Sequence, residues 1–301
     1  MKLFSSIALI MCFSLSSVFA APFNGDRVPE KAKWFLHFDM ENFKNTTIGK
    51  DALAKVLENQ ETHQFNEVLK LLGVDPVNNL KNITIYGLDM NKKNWLLAYE
   101  GSIYVVKLLD LIKTNGSYEL NVNNGIDVYN TNYNGHKFYF FLQDNVFYIS
   151  KEVNLINNHI QMIIGKEKSI KGSASLEGAS TDSMIVFGSA DRLPDDGKDP
   201  TMTNIIKAVA KVSGGVKEEN ATVLTSVNLQ TADNESAETL NQFLQGILGL
   251  GKLKFSNNPT ILEAIKSVVV TKEGNTIKIN GSISSESLIA IINQHRANKQ
   301  K

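Results

Sequence analysis

The chain has 301 residues, 43% of them hydrophobic, with one cysteine and 31 basic side chains that cancel 31 acidic ones. Disorder needs low hydrophobicity with high net charge, and neither is present. A nucleic-acid partner calls for a basic excess that is absent here, and the length suits about two domains, each with its own core.

Residues 1–20 read as a secretory signal peptide. Met1-Lys2 is a short basic start, Leu3 to Phe13 is apolar, and small residues follow before Pro22. Cleavage between Ala20 and Ala21 places Val18 and Ala20 where the peptidase needs small side chains. The apolar run is too short for a membrane anchor, and no later segment reaches the roughly 20 apolar residues of a spanning helix. Cys12 leaves with this segment, so the mature chain has no disulfide, no thiolate nucleophile and no cysteine metal ligand. Lys2 is the only charged residue removed, which leaves one acid in excess. Six Asn-x-Ser/Thr sequons occur in a chain so rich in Asn that several arise by chance.

The elements alternate between strand and helix patterns. Trp34–Asp39 reads as a strand, and 48–72 as one or two helices stopped by Gly73 and Pro76. Ile83–Gly87 and Trp95–Tyr99 read as a strand pair, and Val105, Leu108, Leu109 and Ile112 share a helix face. Three strands follow, over 126–129, 136–142 and 146–149, joined through Asn134-Gly135 and Asp144-Asn145. A helix over 153–164 closes this half. The small, polar segment 165–182 reads as a linker. Beyond it come a strand over 184–187, a helix over 202–212 and a strand over 222–229. Then follow a helix carrying Leu240, Phe243, Leu244, Ile247 and Leu248, a short helix near 261–265, a hairpin turning through Glu273-Gly274-Asn275, and a last helix. The fold class is therefore α+β: residues 21–164 and 183–301 form two similar halves, each an antiparallel sheet with helices packed on one face.

Lys33–Asp39, Ile48-Gly49, Val74-Asp75-Pro76 and Thr84–Gly87 resemble a group of uncharacterised exported bacterial proteins with two α/β halves. The resemblance implies export and this architecture. It brings no activity with it.

Candidate chemistry is sparse. Gly246–Lys252 fits the G-x-x-x-x-G-K core of a phosphate loop, but Leu253 stands where Ser or Thr must hold magnesium. The segment follows a helix rather than a strand, so the expectation is a glycine helix stop. His37 and Asp39 share one strand face, as a base with its orienting acid or as two metal ligands would. The plainer expectation is a partly exposed histidine and an aspartate that starts a turn. Asp195, Asp196 and Asp199, with Asp191, concentrate acid near Gly197 and are candidate calcium ligands, although their order does not fit an EF-hand. No G-x-S-x-G, H-E-x-x-H or S-x-x-K stands in the mature chain, and no cofactor is indicated. The aromatics Tyr129, Tyr133, Phe138, Tyr139, Phe140, Phe141, Phe147 and Tyr148 form either core or an exposed platform.

These features point to an exported, periplasmic or extracellular, non-enzymatic binding or scaffolding protein. Its partner would be a protein, a peptide, a glycan or a small apolar ligand, with no nucleic acid. The alternatives are an exported hydrolase with dispersed carboxylate and histidine groups, and a carrier with a large apolar cavity.

Overall fold

The structure, a computed structural model, describes residues 23–58, 79–90, 94–101, 118–133, 135–171, 184–192 and 206–299. The chain forms two compact units, Met1–Asn45 with Gly49–Asp182, and Thr46–Ile48 with Ser183–Lys301.

The first unit holds β1 (Trp34–Asp39), α1 (Met40–Asn45), most of α2 (Thr47–Glu58), β2 (Leu80–Gly87), β3 (Leu96–Gly101), β4 (Tyr118–Asn123), β5 (Ile126–Tyr133), β6 (His136–Gln143), β7 (Val146–Ser150) and α3 (Val153–Ile163). Its sheet is antiparallel, in the order β1-β2-β3-β7-β6-β5-β4. The β6–β7 turn carries Asp144 and Asn145 at φ 50° and 60°. That pair of left-handed residues matches the twist of the strands it joins. Register aligns His37, Thr84, Ala98, Tyr148, Phe141 and Val128 in one row across the sheet. Helix α3 packs on this face, where its His159 meets Tyr86, Phe141 and Tyr148. Its buried positions, Leu155, Ile156, His159, Ile160 and Met162, recur at helical spacing.

The second unit holds β8 (Met184–Ala190), β9 (Val209–Glu219), β10 (Thr222–Thr231), α4 (Asn234–Lys254), α5 (Pro259–Ser267), β11 (Val269–Glu273), β12 (Thr276–Ser284) and α6 (Ser285–Lys299). Its antiparallel order is β8-β9-β10-β12-β11. Leu229 opposes Ile277 across β10 and β12, and both pack with Val209 and with Ala237 and Leu240 of α4. Asp233 caps α4 by accepting from the Ser236 N–H at 2.7 Å. Asn258 caps α5 by accepting from the Ile261 N–H at 3.2 Å, and Pro259 opens that helix.

The fold is thus α+β with antiparallel sheets. In each unit three strands meander, the last strand pairs with the third, and the remaining strands run back outward. The first unit adds one hairpin to that pattern. Each last strand is followed by a helix, α3 or α6.

Several local expectations need correction. Residues 209–212, expected in a helix, begin strand β9. Gly214 and Gly215 lie inside that strand. A Cβ on Gly214 would sit 2.5 Å from the Ser226 carbonyl oxygen, and one on Gly215 would sit 2.6 Å from that of Val186. The glycines therefore let the neighbouring backbones approach closely. Strand β4 was not anticipated, although Tyr118, Leu120 and Val122 alternate with Glu119, Asn121 and Asn123 along it. The expected helix stop at Gly246–Gly251 does not occur, since α4 continues to Lys254. Glycine costs a helix about 1 kcal/mol relative to alanine, which flanking leucines and lysines of high helix propensity can offset. The helical stripes at 65–72 and 105–112 lie outside the described residues.

Candidate functional site

Polar and aromatic groups, buried and half-buried, converge beside α3 in the first unit. Glu100 of β3 and Asn82 of β2 are register partners, and the Asn82 amide donates to Glu100 Oε2 at 2.7 Å. Arg27, at the end of a short 3-10 turn over Gly25–Arg27, forms an ion pair with the same carboxylate. Burial alone would raise the Glu100 pKa, but the bonds from Arg27 and Asn82 outweigh it and hold the carboxyl below its usual range.

Beside this pair is an aromatic stack. Phe141 and Tyr148 stack with ring centroids 4.6 Å apart, and the His159 ring lies 4.3 Å from that of Tyr148. The Tyr86 hydroxyl meets His159 Nδ1 at 2.8 Å. Burial pushes the Tyr148 phenol up to about 12 and the Tyr86 phenol well above its ordinary value. Burial, helped by the Arg27 charge, pushes His159 down to about 3. All three groups are therefore neutral at physiological pH.

A pocket of about 360 Å³ opens over this cluster, with Arg27, Tyr148 and His159 in its wall. Asn24, Asp26 and Asp144 line it as well, together with the C-terminal end of α3. Gly165, at φ 75°, turns the chain back after that helix. The returning segment is held by Ile170 N–H to Val28 O at 2.8 Å and Glu30 N–H to Lys168 O at 2.9 Å. Residues 165–171, the start of the segment read as a linker, thus form one side of the pocket. Lys171 pairs with Asp26 at 2.6 Å and Lys31 with Glu167 at 2.8 Å around the mouth.

His37 and Asp39 do share a strand face, but they point into the core and neither lines the pocket. His37 is 2% exposed, where partial exposure was expected. Its Nδ1 meets Thr84 Oγ1 at 2.8 Å and Phe23 lies edge-on to its ring at 5.3 Å. Asp39 is 1% exposed and caps α1, accepting from the Asn42 N–H at 2.8 Å. Its carboxyl is pushed up to about 6 by burial, reinforced by the Glu41 charge. Asp195, Asp196 and Asp199 lie outside the described residues, as do Ala20 and Ala21. Among the described residues no group of three or more His, Cys, Asp or Glu is arranged to hold a metal. Gly246–Lys252 lies inside α4 with no strand feeding it, so its N–H groups belong to the helix rather than to a phosphate cradle.

The aromatic cluster is mainly core. Phe138, Phe140, Phe141 and Tyr148 are buried, and Tyr129, Tyr139 and Phe147 are half-buried. The Tyr133 side chain lies outside the described residues. No described helix is long and apolar enough to cross a membrane.

Sequence reasoning missed Arg27, Tyr86, Glu100 and His159. Tyr86 and His159 are 73 residues apart, as are Arg27 and Glu100, and no local spacing links them.

No protein family profile matches the chain, and no curated protein does. Among solved structures the chain is similar to crystal form III of TP0453, at 13% identity and TM-score 0.48, covering 92% of this chain and 99% of that one. Crystal form IV matches at 12% identity and TM-score 0.46, covering 91% and 97%. Crystal form I matches at 14% identity and TM-score 0.43, covering 92% and 98%.

Proposed function

We propose that the protein is exported, loses residues 1–20, and acts without catalysis by binding a small polar ligand in the pocket beneath α3. The observation that carries this reading is the pocket wall. Behind that wall Glu100, itself bonded by Asn82, holds Arg27, and Tyr86 holds His159, before any ligand arrives. Such a wall orients a ligand at little reorganisation cost. The volume lies at the lower end of small-molecule pockets, about 300–1,000 Å³. The polar lining does not suit an apolar cargo. General acid–base chemistry calls for a group titrating near neutrality, and the phenol of Tyr148 and the imidazole of His159 titrate far from it.

Export is supported by the basic start, apolar run and small-residue cut of residues 1–20. The matching strand orders support descent of the two units from one duplicated ancestor.

Thermal-shift screening tests the binding reading. The panel comprises free sugars, dicarboxylic acids, amino acids and polyamines at millimolar concentration. One class should raise the unfolding temperature, and Asn24→Ala at the rim should weaken that effect while leaving the circular dichroism unchanged. A response to none of the classes would refute the reading.

A further inference from the structure

We infer that the outward face of α4 over residues 246–253 is a contact surface for a second copy of this chain, whose own α4 lies antiparallel across it. This surface is separate from the pocket and stands whether or not the pocket takes a ligand.

The outward face of α4 changes character along its length. Near the start it carries Glu235, Thr239 and Gln242, which are polar and exposed. At 3.6 residues per turn the same face continues through Gly246, Gly249, Leu250 and Leu253. Leu250 is 68% exposed and Leu253 74%, and Ile247 at the margin is 45% exposed. The inner face holds Leu240 and Leu244, which pack into the core of the second unit. Gly251 also lies on the inner side, where a Cβ would meet Ile265 Cδ1 of α5 at 3.4 Å. Gly246 and Gly249 differ from it: among the described residues nothing lies within 4 Å of a Cβ at either position. Glycine is a poor helix former, and no described contact within the chain calls for it at these two places. A second backbone laid across the face does, because a residue without a side chain permits close approach.

The spacing selects the partner and its direction. A two-fold pair is isologous, so residue i of one copy meets residue j of the other and j meets i. With the axis between Gly249 and Leu250, Leu253 of each copy lies level with Gly246 of the other. Leu253 then projects over bare backbone, and the two Gly249–Leu250 steps meet at the axis. A parallel pair would set leucine beside leucine and glycine beside glycine, leaving voids next to crowded points. It would also run two helix dipoles in the same direction, where the antiparallel pair opposes them. Lys252 is the charged residue within 246–253 and falls about a third of a turn from the stripe, so no charge is trapped in the contact. A lipid surface would account for the exposed leucines but not for the glycines, since fluid chains need no holes. The stripe covers about 10 Å of helix. A contact of that size belongs with weak, reversible associations rather than obligate dimers.

The experiment is analytical ultracentrifugation of the full folded chain from micromolar to millimolar concentration. Dimer should appear toward the upper end. Gly246→Leu adds its side chain into open space and replaces a poor helix former, so the monomer should melt no lower than the wild type. The same side chain fills the position that receives Leu253 and should weaken dimerisation tenfold or more. Combining Gly246→Leu with Leu253→Gly exchanges the large and the small residue, and association should return toward that of the wild type. If the double variant unfolds, the folded Gly246→Leu variant still decides. A wild type that stays monomeric at millimolar concentration, or a Gly246→Leu variant that associates as well as the wild type, would overturn the inference. A folded double variant that stays monomeric would overturn the antiparallel register. Flotation with vesicles of phosphatidylcholine and phosphatidylglycerol runs beside it. Vesicle binding that Gly246→Leu strengthens, with a monomeric free chain, would put a lipid surface in place of the second copy.

Discussion

Replacing Asp39 by asparagine isolates the cost of one buried charge. The carboxyl side chain is 1% exposed, caps α1 through the Asn42 N–H, and titrates near 6 rather than 3.8 because burial, with the Glu41 charge, disfavours ionisation. The folded state thus holds a proton that the unfolded chain releases between those two values. Stability falls as pH rises through that window, and the full penalty is present above about pH 6. A rise of about two units corresponds to about 3 kcal/mol. Relaxation and water penetration around the carboxylate trim this to about 2 kcal/mol. Asparagine caps a helix about as well as aspartate and carries no charge. Asp39→Asn should therefore stabilise the protein by about 2 kcal/mol at pH 8, and by under about 1 kcal/mol at pH 4, where the native side chain is protonated in the fold. Urea unfolding followed by circular dichroism at the two pH values measures both. Destabilisation at pH 8, or an equal gain at both pH values, would refute the reasoning.

His159 carries the opposite sign. Its folded pKa of about 3 lies below the ordinary 6.5, so its contribution is present above 6.5 and is lost as pH falls toward 3. Between pH 7 and pH 5 that loss is about 2 kcal/mol, and a urea series should show His159→Phe free of it. Ala221 in the β9–β10 turn sits at φ 55°, a conformation that costs a residue with a Cβ about 1–2 kcal/mol. Ala221→Gly should raise the thermal midpoint, and a drop would show the turn unstrained. Gly215→Ala drives a Cβ into the Val186 carbonyl oxygen and should cost about 1–3 kcal/mol in urea unfolding. Mass spectrometry of the exported protein should find Ala21 as its first residue, and a retained Met1 would refute cleavage.

Local signals carried much of the fold. Strand β1 shows as Trp34–Asp39, and the β6–β7 hairpin announces itself through Asp144-Asn145 between aromatic runs. The second unit was harder to read, because its special residues do unusual things. Gly214 and Gly215 lie within a strand, Asn220-Ala221 takes a left-handed turn without glycine, and Gly246, Gly249 and Gly251 lie within a helix. In each case cross-strand or helix packing overrode the local preference. Of the candidate residues, the shared face of His37 and Asp39 was legible because strand alternation is local. Their burial was not, since it depends on Phe23, Thr84 and α1 closing around them. The pocket was illegible for the same reason. Arg27, Glu100, Tyr86 and His159 converge only through sheet register and the docking of α3.

Hydrogen–deuterium exchange of the folded protein, with and without a polar ligand from the screen, tests the central claim most directly. Protection should appear together in the segments that wall the pocket, residues 24–28, 143–148 and 166–170, and the α4 segment at 246–252 should be unchanged. Protection confined to α4, or no protection in those three segments at a saturating ligand concentration, would contradict the account.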